Sequence, residues 1–367
     1  MRRSLPVVAV VATLVLAGCG QAAPRTSPGT PAPTPEPTVA RVQPSGTPRD
    51  VTTGLAAPWS VVRVDETETL VSQRDDARIL SIASDRSPVE VGTVPGVVAG
   101  GEGGLLGLAV LETDDTTWVY AYLTAADDNR IVRMPYAAGG LGEPEVVLAG
   151  LRKAGNHNGG RIAFGPDGLL YATVGDAGVP DLSQDPASLN GKILRMTPEG
   201  EVPPDNPIGG SLVYSLGHRN PQGIAWDADG QLWSAEFGQN TWDEFNRIEP
   251  GANYGWPIVE GAVGDARFVD PVTQWATSEA SPSGLAYVDG TFFLAALRGQ
   301  RVWAIDVADD GVASATPWFV GEFGRIRDVA AGPEGTLWFL TNNTDGRGDV
   351  RPGDDRLLEV DLEPLDG

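Results

Sequence analysis

One feature constrains this chain more than any other. A short apolar strand, a tight turn and a second apolar strand recur six times after residue 50, at Ser60–Ser72, Leu105–Leu123, Gly160–Val174, Gly223–Glu236, Gly284–Ala296 and Arg327–Leu340. Four of the turns carry Asp-Gly or Glu-Gly, at Asp167, Asp229, Asp289 and Glu334, the chemistry of tight hairpins whose central residues take φ > 0. A third strand of similar character follows each hairpin, beginning at Ala77, Asn129, Gly191, Glu244, Gln300 and Asp355. A fourth, outer strand shows in PVEVGTV from Pro88 and EPEVVLAGL from Glu143. One such unit cannot bury both of its faces alone, so neighbours must stack, and about 53 residues per unit suits a four-stranded blade. The sequence therefore predicts an all-β fold, a six-bladed β-propeller with four-stranded antiparallel blades. The chain stops after a third strand, so RDVTTGL from Arg49 is expected to supply the outer strand of the last blade, closing the ring and removing an exposed edge. A β-sandwich or two small β domains would also satisfy the pattern, but no change of composition past residue 50 marks a second domain.

The segment ahead of the repeats divides in two. Residues 1–19 read as a signal peptide, with Arg2 and Arg3, an apolar run from Leu5 to Leu16, and Leu16-Ala17-Gly18-Cys19 at its end. The run is shorter than the about 20 residues that span a bilayer. Its last four residues resemble a bacterial lipobox, which implies lipidation of Cys19 and an extracytoplasmic protein held at the membrane by that anchor only. Residues 20–49, rich in Pro, Thr, Ser and Ala, lack the apolar residues to offset their ordering entropy and are expected to be a disordered tether. Cys19 is the only cysteine, and there are two histidines. A disulfide framework, a CxxC site and a His-rich zinc site are thereby disfavoured. With 26 Lys and Arg against 49 Asp and Glu, a net charge of −23, no nucleic-acid partner is expected.

Since propellers host many functions, function must come from side chains. His157 sits in a Gly/Asn-rich loop just before a strand, and an accessible imidazole is a candidate general base; a surface histidine without a role is the alternative. Arg219 lies in Leu216–Gly223 with an amide and a proline, and a guanidinium there suits an anionic or electron-accepting ligand. Arg325 and Arg327 alternate in an extended segment and so share a side, where they could equally pair with acids of a blade face. The acids, amides and glycines of Glu236–Glu244 and Gly251–Pro257 offer the oxygens that Ca²⁺ prefers, without any EF-hand spacing.

Together and in order, HNGGRIAFGPDGLLYATVGDAG from His157, LNGKILRMTPEGEVPPDNP from Leu189, YSLGHRNPQG from Tyr214 and NYGWP from Asn253 resemble the soluble glucose/sorbosone dehydrogenase family. These are six-bladed propellers that use pyrroloquinoline quinone and Ca²⁺ to oxidise aldose sugars. The resemblance implies that His157 is the base, that Arg219 and Asn220 lie against the quinone, and that Arg325 and Arg327 hold its carboxylates. It places Thr277 at a cofactor contact and the carbonyls of Gly238 and Gln239 on the cofactor's calcium. Glu244 and Tyr254 match a second, structural calcium site, with Asp265 a possible helper. Three cofactor positions depart from the family pattern. Glu102 stands for Gln and, as a pure acceptor, would repel an anionic cofactor; Asn156 stands for the acid before the base, leaving the base less polarised; Arg298 stands for Lys. The function implied is oxidation of the C1 hydroxyl of an aldose, with electrons passed to an external acceptor. A calcium-dependent lactonase-type hydrolase, with Glu102, Asn156 and Asn220 around one metal, and an inactive ligand-binding propeller are the other readings.

Overall fold

The computed structural model describes residue 9 and residues 41–83, 87–308 and 311–365; Cys19 and the expected tether through residue 40 lie outside them. The chain enters in β1 (Val42–Thr52) and then builds a first blade from β2 (Pro58–Arg63), β3 (Thr69–Gln73), β4 (Arg78–Ile82) and β5 (Pro88–Thr93). The second blade holds β6 (Leu105–Glu112), β7 (Thr117–Thr124), β8 (Asn129–Ala137) and β10 (Glu145–Leu151), with the short β9 (Gly140–Leu141) added to β8. The third is β11 (Ile162–Phe164), β12 (Leu170–Val174), β13 (Lys192–Met196) and β14 (Val213–Leu216), and the fourth β15 (Pro221–Trp226), β16 (Leu232–Glu236), β17 (Trp242–Arg247) and β18 (Thr273–Ala276). The fifth comprises β19 (Pro282–Val288), β20 (Thr291–Ala296), β21 (Arg301–Val307) and β22 (Ala313–Trp318), and the last β23 (Ile326–Ala331), β24 (Leu337–Thr341) and β25 (Leu357–Pro364). All pairings within the six sheets are antiparallel, and β1 completes the last in the order β1-β25-β24-β23. The six-bladed propeller is the observed architecture.

Six apolar clusters hold the ring, one at each boundary between neighbouring blades. Second strands are packed on both faces, so β12, β16, β20 and β24 are buried along their whole length. Outer strands such as β5 and β22 are mostly exposed or half-buried. The closing strand begins at Val42 rather than Arg49, so the last part of the segment read as tether is strand. Its Pro44 and Pro48 fit because it is an edge strand, where a missing N–H costs no ladder bond. Arg49 pairs with Glu359 at 3.0 Å and Asp361 at 2.9 Å across that seam.

The turn chemistry is split. Asp289-Gly290 and Glu334-Gly335 place both residues at positive φ, whereas at Asp167-Gly168 and Asp229-Gly230 only the glycine does. In the latter two the glycine N–H closes a turn on the residue three before it, Gly165 or Asp227, so the left-handed residue follows the turn instead of forming its centre. Antiparallel order puts these turns at one end of the ring. The opposite end gathers the loops before each first strand and those joining second to third strands, and every cavity arginine and His157 lie on such loops or beside them.

Candidate active site

His157 stands in the loop ahead of β11 with φ 57°, a conformation that costs energy for a non-glycine residue and marks an over-determined position. Its N–H donates to Glu102 Oε2 at 2.9 Å, and its carbonyl accepts from Ala177 N at 3.1 Å. Gly175 faces that carbonyl so closely that a Cβ would collide with it. The ring Nδ1–H donates to Asp176 Oδ1 at 2.7 Å. Asp176 is fully buried and also accepts from Gly178 N at 2.8 Å and Trp256 Nε1 at 2.9 Å. With Nδ1 committed, Nε2 is the free, basic nitrogen. The carboxylate expected at Asn156 is thus supplied by Asp176 from the loop after β12, and Asn156 is exposed. The imidazole therefore has a carboxylate partner despite Asn156.

The other histidine also has a buried carboxylate partner but is itself closed off from solvent. His218 is fully buried, stacked on Tyr254 at 4.8 Å, and bonded to Glu236 Oε2 at 3.0 Å and Ser215 Oγ at 2.8 Å. Burial pushes it down to about 3. It stays neutral and has no access to solvent.

A cavity of ≈ 200 Å³ opens among Arg74, Arg298, Arg325, Arg327, Arg347 and Glu102, with Trp59 and Gln222 also in its lining, and Glu102 links it to the His157 N–H. Arg327 is buried, donating to Gln222 Oε1 at 2.9 Å and Asn342 Oδ1 at 3.1 Å. Burial first, then the adjacent Arg325, pushes it down to about 9, which leaves it cationic at neutral pH. Arg325 lies 3.2 Å from Asp345 Oδ2, and Arg327 and Arg347 each 3.8 Å from the same atom. Arg219 lies across Trp256 at 5.5 Å, with Nη1 3.4 Å from the Phe237 carbonyl. Burial lowers the Arg219 guanidinium, against the attraction of Asp176, Glu236 and Glu102. Among the described residues the buried Nε atoms of Arg219 and Arg325 have no hydrogen-bond partner, so the end of the ring that carries this cavity has unmet demand for anionic or carbonyl oxygen. Asn220 is buried, its Oδ1 accepting from Gly159 N at 3.0 Å.

Other expected residues are placed differently. Thr277 does not line the cavity; its carbonyl accepts from Ser281 Oγ at 3.4 Å, and Ser281 is the lining residue. Gly238 and Gln239 form a loop whose N–H groups at 239–242 converge on Glu260 Oε1, 2.7 to 3.2 Å away. No hydrogen bond to either carbonyl occurs among the described residues. Glu244 is buried, accepting from Gly261 N at 2.8 Å and Asn246 Nδ2 at 3.1 Å. Burial, with Glu236 nearby, pushes it up to about 7. Asn246 Oδ1 and the cross-strand Ser234 Oγ are buried without partners. The Tyr254 hydroxyl is committed to the Arg247 carbonyl at 2.6 Å, so only its own carbonyl is free to bind a metal. Asp265 is turned toward Arg267 at 2.7 Å and contacts none of the others. No group of three or more His, Cys, Asp and Glu is gathered for a metal among the described residues.

Asp176, Arg74, Asp345 and Arg347 were not foreseen. Asp176 lies inside the stretch from His157, but nothing in the sequence folds it back onto the histidine. The remaining three arrive from the first and last blades. Lys192, in the stretch from Leu189, proves structural: its buried Nζ donates to the carbonyls of Leu182, Ser183 and Asn190 at 2.7, 3.0 and 2.8 Å. Ser183 in turn holds the Arg219 loop through the His218 carbonyl at 2.7 Å.

The propeller thus carries an imidazole–carboxylate pair and an arginine-lined cavity at one end, and its class follows from its likeness to known sugar dehydrogenases. Residues 55–351 match the model of the Glucose / Sorbosone dehydrogenase family, and the chain belongs to that family. It is 31% identical to aldose sugar dehydrogenase YliI of Escherichia coli, over 69% of this chain and 78% of that one. Among solved structures, the PQQ-bound aldose sugar dehydrogenase of Streptomyces coelicolor superposes with a TM-score of 0.84 at 50% identity, covering 88% of this chain and 98% of that one. A putative oxidoreductase (glucose dehydrogenase) of Thermus thermophilus gives 0.79 at 42% identity, covering 88% and 99%.

Proposed function

We propose that this protein oxidises the C1 hydroxyl of aldose sugars to lactones with pyrroloquinoline quinone and Ca²⁺, passing the electrons to an external acceptor. The observation that carries this reading is the gathering, at one end of the ring, of His157 on a buried carboxylate and five cavity arginines, in a chain of charge −23. The donor set fits the quinone: a polycarboxylate would meet Arg325, Arg327, Arg298 and Arg74, and the orphaned Nε atoms of Arg219 and Arg325 would gain acceptors. The open carbonyls of Gly238 and Gln239 are hard-cation donors, as are the Glu244 carboxylate, the Tyr254 carbonyl and the orphaned Asn246 and Ser234 oxygens for a second ion. When bound, the quinone with its calcium supplies the two-electron acceptor.

The chain's own residues supply the rest. His157 Nε2 takes the proton from the C1 hydroxyl. Asp176 fixes the tautomer and stabilises the imidazolium as it forms. Arg219 and Asn220 present fixed donors to negative charge developing beside them. We further propose that the chain acts outside the cytoplasm, anchored through a lipid on Cys19; no helix of the described residues is long and apolar enough to cross a membrane. Reconstitution with pyrroloquinoline quinone and Ca²⁺, followed by an aldose panel with an artificial acceptor dye, tests the reading. Dye reduction that requires the quinone is the expected result; lactone hydrolysis without quinone would replace it with the hydrolase.

A further inference from the structure

We propose that Glu102 and Arg347 act as a matched pair at the rim of the cavity, Glu102 positioning the base-bearing loop and Arg347 cancelling its charge toward an anionic cofactor. The inference rests on the quinone reading above. Glu102 enters from the loop before β6, where its own N–H donates to the Gly155 carbonyl at 2.9 Å. Its side chain has two distinct neighbours. Oε2 accepts the N–H of His157, and Oε1 lies 3.8 Å from Arg347 Nη2. The first contact fixes the backbone of a residue held at φ 57°, so Glu102 acts on the base through position.

The second contact answers the charge problem. An amide at this place could accept the same N–H and still offer donors to a ligand, whereas a carboxylate only accepts. A lone carboxylate among arginines meant for an anion would oppose binding. Arg347 supplies both the opposite charge and the missing donors. It reaches over from the loop between β24 and β25, its N–H held by Asp345 Oδ1 at 2.9 Å and its guanidinium 3.8 Å from Asp345 Oδ2. The same carboxylate binds Arg325 and adjoins Arg327. Glu102 and Arg347 are both partly exposed, at 27% and 41%, so they stand where an entering ligand meets them.

The test is a set of variants of the full chain titrated with pyrroloquinoline quinone in Ca²⁺ by calorimetry. Arg347→Gln should weaken binding at least tenfold, Glu102→Gln should tighten it severalfold, and the double variant should fall between the two. Arg347→Lys, which keeps the charge, should stay nearer the unmodified chain than Arg347→Gln does. A Glu102→Gln protein that binds no tighter than the unmodified chain, or an Arg347→Gln protein that binds no weaker, overturns the pairing. Positioning is read separately in the loaded enzyme: kcat of Glu102→Ala should lie at least tenfold below that of Glu102→Gln, which still offers an acceptor to His157, with a smaller change in KM. Equal kcat values overturn the positioning role. An unmodified chain that takes up no quinone overturns the functional reading itself, and the pairing with it; uptake with the wrong signs overturns the pairing alone.

Discussion

Asp176→Asn changes a single atom and strikes the proposed mechanism at its centre. Both carboxylate oxygens are engaged as acceptors, Oδ1 by His157 Nδ1 and Gly178 N, Oδ2 by Trp256 Nε1. An amide has one accepting oxygen. If that oxygen faces His157, the NH₂ confronts the Trp256 N–H; if it faces Trp256, the NH₂ forces the imidazole into the tautomer whose Nε2 carries the proton. Either outcome also removes the charge that stabilises the imidazolium. With charge centres about 4 Å apart and an effective dielectric near 20, that stabilisation is worth about 4 kcal/mol, or roughly 10³ in rate. The expected result in a dye-coupled assay with saturating quinone is a kcat about 10³ below the unmodified enzyme. A kcat within threefold of the unmodified enzyme, with the quinone still bound, would refute the role assigned to the pair.

Four further expectations come from the structure and, for Cys19, from the sequence. His157→Ala should abolish dye reduction while quinone affinity, measured by calorimetry, changes only a few-fold, since the arginines remain. Burial holds Lys192 at about 8, below its ordinary 10.5; its charged form therefore burdens the fold below pH 8, and the burden is relieved as pH rises from 8 toward 10.5. Chemical denaturation should show the stability of the unmodified chain rising relative to Lys192→Met across that window, by up to about 1.4 kcal/mol per pH unit. Chelation of calcium should lower the melting temperature and dye reduction together, with both returning on re-addition, and Glu244→Gln should blunt the melting response. Mass spectrometry of the membrane-extracted protein should find a lipid on Cys19, and Cys19→Ser should release the protein in soluble form.

The fold was legible wherever a strand is buried on both faces. TFFLAA of β20 and LYATV of β12 read as apolar runs because blades pack against both sides of them. Outer strands such as ASATPW of β22 are set by pairing rather than by composition, and β1 was missed before Arg49 because its prolines and glycine resemble tether until the partner strand is known. The candidate site was legible where one loop holds several of its residues, as at His157 and Arg219. It was not where distant blades converge. The sequence puts Asn156 beside the base, but the structure brings Asp176 there instead. Arg347 and Glu102 lie far apart in the chain and share the cavity only through ring closure.

That closure by β1 fixes where the chain can be cut without opening the ring. The strand that completes the last blade comes from the start of the ring and its partner β25 from the end, so the two meet at a single seam. A protease cutting ahead of Val42 would leave all six sheets whole, whereas one cutting beyond Thr52 would strip the last blade of its outer strand and leave that edge open.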